Sequence, residues 1–299
     1  MRRLYIDHLT EYRFAAPCRL MPHRMLLRPR ENFGLRIVSS RLEIEPVASI
    51  RWHRDTLDNS VAIVSFTTEC SRLHVASSVV VEHSEESPLD FVVEDHAVMY
   101  PFGYVAADAA MLAPFRSPTW PDDHGALASW LTTLGGLEAV ETFVLLDRMN
   151  RTINERFRYE GREDFGVQSP ARTLDRHAGS CRDFATLFME ACRHLGLASR
   201  FVSGYLYAPL NSASSGASHA WAEVYLPGAG WRGFDPITGL LVGSDHIAVA
   251  VAHHPEHVAP ISGAGGPPAA ARRTARPRRS ARGPAGRSKG RPGPSRTGS

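Results

Sequence analysis

The sequence predicts an α+β protein. An N-terminal antiparallel β-sandwich-like module precedes a mixed domain, in which a helix with a cysteine at its N-terminus packs on an antiparallel sheet. Three observations predict this. Residues 1–95 hold short β-rich runs separated by turn chemistry. Residues 121–195 hold apolar side chains at helical spacing. Residues 218–236 read as two strands around Pro227-Gly228-Ala229-Gly230.

In the module, assigned to residues 1–100, Arg36–Glu45 ends in alternating apolar and polar residues before Pro46. Asp58-Asn59 is a turn signal ahead of Ser60–Phe66, and Leu73–Val81 runs into a polar stretch. Residues 101–136 form a crossing segment and a helix. Pro101, Gly103, Pro114 and Pro118 break any period, and a helix from Pro121 to Leu134 stops at Gly135-Gly136. The mixed domain, residues 137–263, opens with a helix from Glu138 to Phe157 whose buried face carries Val140, Phe143, Val144, Leu146 and Met149.

With 299 residues, 43% of them hydrophobic and 22% charged, the chain can bury the cores of two ordinary domains. Its net charge of +3 is misleading. Residues 264–299 hold nine Arg, one Lys and no acidic residue, so the remainder carries −7. Basic character is therefore no sign that the folded part binds nucleic acid. The tail, 264–299, is rich in Gly, Pro, Ala and Arg. It is expected to be disordered and to meet polyanions only nonspecifically.

No run approaches the roughly 18 apolar residues of a membrane span. Leu4-Tyr5-Ile6 follows Met1-Arg2-Arg3 but meets Asp7-His8 at once, which leaves no continuous apolar run of a secretory signal, so the cytoplasm is the expected location. Cys18, Cys70, Cys181 and Cys192 are too scattered for a disulfide framework, and none forms a Cys-x-x-Cys pair. His253-His254-Pro255-Glu256-His257 fits no zinc spacing and reads as a solvated segment. No calcium loop or phosphate loop is present in the sequence, and neither a metal nor a cofactor is expected.

The most informative stretch is Gly179-Ser180-Cys181-Arg182-Asp183-Phe184. Ser180 is a helix N-cap and Asp183, three residues on, completes a capping-box-like start. Phe184, Leu187, Phe188, Ala191, Cys192 and Leu195 then fall on one helix face, and Gly196 supplies the stop. Cys181 thus sits in the first turn, where the helix dipole favours a thiolate and free N–H groups can stabilise an oxyanion. Cys192 lies on the apolar face and reads as structural, as do Cys18 and Cys70. Arg182 and Asp183 read as a local cap and surface pair.

Downstream, His219, Trp221, Glu223 and Tyr225 share one face of a strand, while Ala220, Ala222, Val224 and Leu226 share a core face. Trp231–Asp235 returns as a second strand. A turn at 226–230 places Trp221 opposite Asp235, which makes His219 and Asp235 diagonal neighbours about 7–8 Å apart at Cα. A turn one residue shorter would put them on opposite faces.

Together these residues resemble the bacterial transglutaminase-like family of the papain-like superfamily. The pieces that carry the resemblance are Phe157-Arg-Tyr159, Gly166-Val-Gln-Ser-Pro170, Gly179–Ala185, Cys192–Leu197, Arg200–Tyr205, Ser218–Glu223 and Trp231–Pro236. In the N-terminal half, Leu20–Arg24, Leu27–Arg30 and Asn59–Ala62 are similar to the β module that precedes such cores. The resemblance implies a papain-like transglutaminase core with Cys181, His219 and Asp235 as a catalytic triad, acting on a protein or peptide amide. Water would make it a protease or amidase; a lysine amine would make it a cross-linking enzyme. A catalytically impaired scaffold or binding module is the alternative. Tyr159 and Gln168 are candidates for the oxyanion hole, although helix packing or turn bonding accounts for either equally well. Trp221 either walls the cleft or packs between the domains. The resemblance ends near Gly263, where the family would continue with a further strand of the catalytic sheet. That sheet is therefore expected to have an unpaired edge.

Overall fold

The computed structural model describes residues 1–84, 88–137, 139–162, 166–207 and 218–265, and the backbone course of 268–279. The N-terminal module consists of β1 (Arg2–Cys18), β2 (His23–Met25), β3 (Leu35–Glu45), β4 (Ala48–Arg54), β5 (Ser60–Phe66) and β6 (Cys70–His83). β1 is the backbone of the module, yet its sequence hides it. Leu4, Ile6, His8 and Thr10 alternate inward with exact period two, but the last two are polar. They are satisfied inside: His8 Nε2 pairs with the Thr10 hydroxyl at 3.0 Å, and His8 Nδ1 with the Tyr205 hydroxyl at 3.2 Å.

The connecting region holds α1 (Asp95–Val98), β7 (Met99–Tyr100), α2 (Ala106–Arg116) and α3 (His124–Thr132). α2 was not expected, because Pro114 interrupts the pattern. It lies in the last turn of the helix, where few further i→i−4 bonds are lost. The mixed domain follows with β8 (Val140–Glu141), α4 (Thr142–Arg156), β9 (Arg158–Tyr159), α5 (Pro170–Arg176), β10 (Ala178–Gly179) and α6 (Cys181–His194). Then come β11 (Ser199–Leu206), β12 (His219–Leu226), β13 (Gly230–Asp235), β14 (Leu240–Leu241), β15 (His246–Ala252), β16 (Ile261–Ser262) and β17 (Pro268–Arg279).

Three larger sheets result. β17-β1-β6-β3 and β16-β2-β5-β4 form the module, and β14-β13-β12-β11-β15 forms the antiparallel sheet of the mixed domain. The module has an inner core of Leu20, Met25, Leu27, Ala62, Val64 and neighbours. A second core is continuous across both halves: Leu4, Ile6, Val79 and Val81 join Phe184, Phe188, Val224 and Phe234. Asn59 reinforces that joint. Its amide Nδ2 donates to the Val251 carbonyl and its Oδ1 accepts from the Val251 N–H, both at 2.9 Å, so one side chain pairs with β15 as a strand would.

α6 departs from the single buried face expected of it: every residue from Asp183 to Arg193 is buried. It packs on β12 and β11 and is covered by α3, α4 and α5. The polar members of its second face are paired. Arg193 Nη1 donates to Glu190 at 2.7 Å, and the other guanidinium N–H groups reach the carbonyls of Ser199, Phe115 and His253.

The tail corrects one expectation. Pro268–Arg279 forms a strand along β1, from Phe14↔Pro268 to Leu4↔Arg279, rather than a disordered segment. It completes a sheet of the N-terminal module, not the sheet of the mixed domain, whose outer strands are β14 and β15. The reason is geometric. β1 presents one edge to β6 and a long row of backbone groups on the other. An edge position also tolerates proline, which cannot donate. Residues 280–299 lie outside the described residues.

Candidate active site

The site begins with the turn that starts α6. Asp183, fully buried, gathers the loop around it. Its Oδ2 accepts from the Ser180 N–H and hydroxyl, both at 2.8 Å, and its Oδ1 accepts from the Gln168 N–H at 2.7 Å. Arg162 supplies the counter-charge, with Nε and Nη2 at 3.0 and 3.1 Å from the two oxygens. Burial works against the charged carboxylate, but these hydrogen bonds outweigh it and hold Asp183 below the usual range. The cap is as read from the sequence, but the surface pair with Arg182 is not. Arg182 instead donates to the Arg162 carbonyl at 3.0 Å. Gly179 is required here, because a Cβ would lie 2.8 Å from Asp183 Cβ and 3.0 Å from Gln168 Nε2.

This arrangement presents Cys181, half-buried, at the head of the helix. β12 brings His219 to it. The β12–β13 register is the one expected: Leu226 faces Gly230 and Ala222 faces Phe234, which makes His219 and Asp235 diagonal neighbours. His219 Nε2 donates to Asp235 Oδ2 at 2.9 Å, leaving Nδ1 for the thiol of Cys181, which is near enough to act on the ring's protonation. Burial pushes the His219 value down, but the Asp235 carboxylate, its hydrogen bond and the Cys181 sulfur outweigh burial and raise it to about 10. Burial opposes the Asp235 charge too, and the His219 imidazolium and the His246 hydrogen bond overcome it, holding the carboxyl well below the usual range.

Sequence reading missed two partners of Asp235. His246 Nε2 donates to the same Oδ2 at 3.1 Å, and the Thr238 hydroxyl donates to it at 3.0 Å. The Ile237 N–H caps Oδ1 at 2.9 Å. The signal for Thr238 was its place three residues after Asp235. His246 carried none, since it arrives from β15 on the far side of β11. Among the described residues, His219, Asp235 and His246 form the one group of three whose donor atoms lie within 4.8 Å of one another. The set does not suit a metal. The Gly243 N–H donates to His246 Nδ1, which puts the proton on Nε2 and removes the lone pair that a metal would need.

The three supporting candidates separate. Tyr159, half-exposed, borders the thiol closely enough that the sulfur's charge, after burial, raises its phenol. Gln168 is not free to serve an oxyanion. Both N–H bonds of its amide nitrogen are engaged, with the Ala178 carbonyl at 3.1 Å and Asp183 at 3.2 Å, so it braces the cap. Trp221 does not wall an open cleft: it is fully buried behind the site. It packs on Val202, Val251 and Leu57 and meets the edge of the His246 ring at 5.3 Å. Gly204 makes room for it, since a Cβ there would lie 2.6 Å from the indole and 2.3 Å from the Ile247 carbonyl.

Comparison with known proteins bears on the fold and its two regions. An uncharacterised protein of Mycobacterium leprae is 24% identical over 272 residues, covering 88% of this chain and 93% of the relative. An uncharacterised protein of Mycobacterium tuberculosis is 27% identical over 278 residues, 87% of each. A solved structure from Cytophaga hutchinsonii, described as a candidate cysteine protease, superposes with a TM-score of 0.72 at 18% identity, over 95% of this chain and 93% of its own. It has the same fold. Residues 140–236 match the model of the transglutaminase-like superfamily, and residues 4–82 match the bacterial transglutaminase-like N-terminal region. The chain thus carries a transglutaminase-like core over residues 140–236, with a bacterial transglutaminase-like N-terminal region ahead of it over residues 4–82.

Proposed function

We propose that the protein is a thiol acyl-transfer enzyme acting on peptide, isopeptide or glutamine side-chain amides, with Cys181 as nucleophile, His219 as proton carrier and Asp235 as the group that orients His219. The observation that carries the reading is the buried His219–Asp235 pair set beside a half-buried cysteine at the N-terminus of α6. The Cys181 sulfur attacks the amide carbonyl carbon, forming a C–S bond. The first-turn N–H groups of α6 face the oxygen as it gains charge. The C–N bond then breaks, and His219 gives the leaving nitrogen its proton. Water or an amine, losing a proton to His219, displaces sulfur from the thioester. Asp235 keeps the imidazole in one tautomer and balances its charge throughout. Tyr159 lines the entrance.

The test is alkylation of the native protein with iodoacetamide, followed by mass spectrometry, in wild type and His219→Ala. Cys181 is expected to react well ahead of Cys18 and Cys70 and to lose that advantage without His219. Equal labelling of the three, indifferent to His219, would reject the enzyme reading and leave a scaffold with this fold.

A further inference from the structure

Cys18 and Cys70, far apart in sequence, are direct cross-strand partners on β1 and β6. The ladder breaks after Arg13 and closes again at this one pair. Directly opposed residues of an antiparallel pair point to the same side and stand about 4.5–5.5 Å apart at Cα, inside the range that a disulfide spans. Both thiols are free, both are half-buried, and both pack on the same apolar cluster of the module. Burial first, and the neighbouring Cys18 sulfur as well, push the Cys70 thiol up, so the two sulfurs sense each other. Cys70 also lines an open surface cleft with Pro17, Glu45, Pro46, Glu69 and Arg72, which admits a small reagent.

We propose that Cys18 and Cys70 are a dithiol oxidation site that forms a cross-strand disulfide by exchange with a low-molecular-weight disulfide. One cysteine sulfur attacks the reagent's S–S bond, which breaks to release one small thiol and leave a mixed disulfide. The second cysteine sulfur attacks the protein side of that bond, forms the Cys18–Cys70 bond and releases the second small thiol. The protein loses two protons and two electrons, and the reagent gains them. A reducing cytoplasm keeps the pair as thiols, so the cross-link reports oxidising conditions. It joins β1 to β6 where their ladder is interrupted, and it does not involve Cys181.

The experiment treats the native full chain with excess glutathione disulfide, in wild type and in a Cys181→Ser background that silences the remaining half-buried thiol. Samples are then quenched and digested without reduction. The expected product is a linked peptide joining Cys18 to Cys70, with the intact chain lighter by two hydrogens. Cys18→Ser is expected to stop at a glutathione adduct on Cys70, and Cys70→Ser at one on Cys18. Stable glutathione adducts on both cysteines of the Cys181→Ser chain with no linked peptide would overturn the proposal, as would a link that forms only after denaturant is added.

Discussion

His246 Nε2 donates to the Asp235 oxygen that also takes the His219 hydrogen bond, at 3.1 and 2.9 Å respectively. Two imidazoles and a threonine hydroxyl thus converge on one buried carboxylate oxygen. Replacing His246 by Ala leaves Asp235 with one donor fewer in a buried setting. The loss of an interaction of this kind costs about 1–3 kcal/mol. The expected result is a lower urea midpoint together with slower alkylation of Cys181, and His246→Gln is expected to recover part of both. An unchanged alkylation rate in His246→Ala would show that His219, Thr238 and Ile237 suffice to hold Asp235.

Asp235→Asn keeps the shape and removes the charge. The amide can present its N–H to His219 Nε2 and so reverse the tautomer, as in other triads, where that change lowers turnover on the order of 10⁴-fold. Once an amide substrate is in hand, kcat is expected to collapse in this variant while the chain stays folded by circular dichroism. Near-normal turnover would remove Asp235 from the proposed machinery.

The pH dependence of stability has a definite sign. His219 titrates at about 10 in the folded chain, against about 6.5 when unfolded. Between those values the folded state holds the extra proton, so stability falls as pH rises through that window. Asp235, held low, contributes stability above about pH 3.9 that is lost on acidification. The wild-type melting temperature should therefore decline from about pH 6.5 to pH 10, and His219→Gln should flatten the decline. Parallel curves for the two proteins would contradict the assignment.

Asp183 is the hub of the turn that presents Cys181. Asp183→Ala removes the carboxylate that pairs with the mostly buried Arg162 guanidinium and that accepts from the Ser180 and Gln168 N–H groups. Breaking a buried ion pair on one side costs about 3–5 kcal/mol. Chemical denaturation should show a loss of that size, with Cys181 alkylation losing its selectivity in the same variant. A loss below about 1 kcal/mol would mean that the turn holds itself.

Asn59→Ala removes the two-way bond with Val251 that ties the module to β15. The backbone groups left behind are buried, and a cost of about 1–3 kcal/mol is expected. Hydrogen exchange should locate it: faster exchange at Val251, with α6 unchanged.

Much of the site was legible because its signals are local. The cap at Ser180–Asp183 and the apolar spacing after Cys181 define a helix and its first residue within one stretch of chain. The Pro227–Gly230 turn sets a register, and the register alone decides that His219 and Asp235 share a face.

What remained was decided by contacts between distant segments. His246 reaches Asp235 only because β15 pairs with β11, and nothing near His246 in the sequence encodes that pairing. Asp183 turned inward because Arg162 and Gln168, from the preceding loop, close over it. Trp221 is buried because the N-terminal module lies against the sheet behind it. β1 concealed its inward period behind His8 and Thr10, whose partners only the fold supplies. The sequence by itself determined the helix that Cys181 begins and the hairpin that carries His219 and Asp235, their order along the chain and the face each occupies, because helix caps and strand periods act over a few residues. Only the tertiary structure decided which polar groups could be buried, because a buried polar group is stable only when a partner, often from a remote segment, completes its hydrogen bonds.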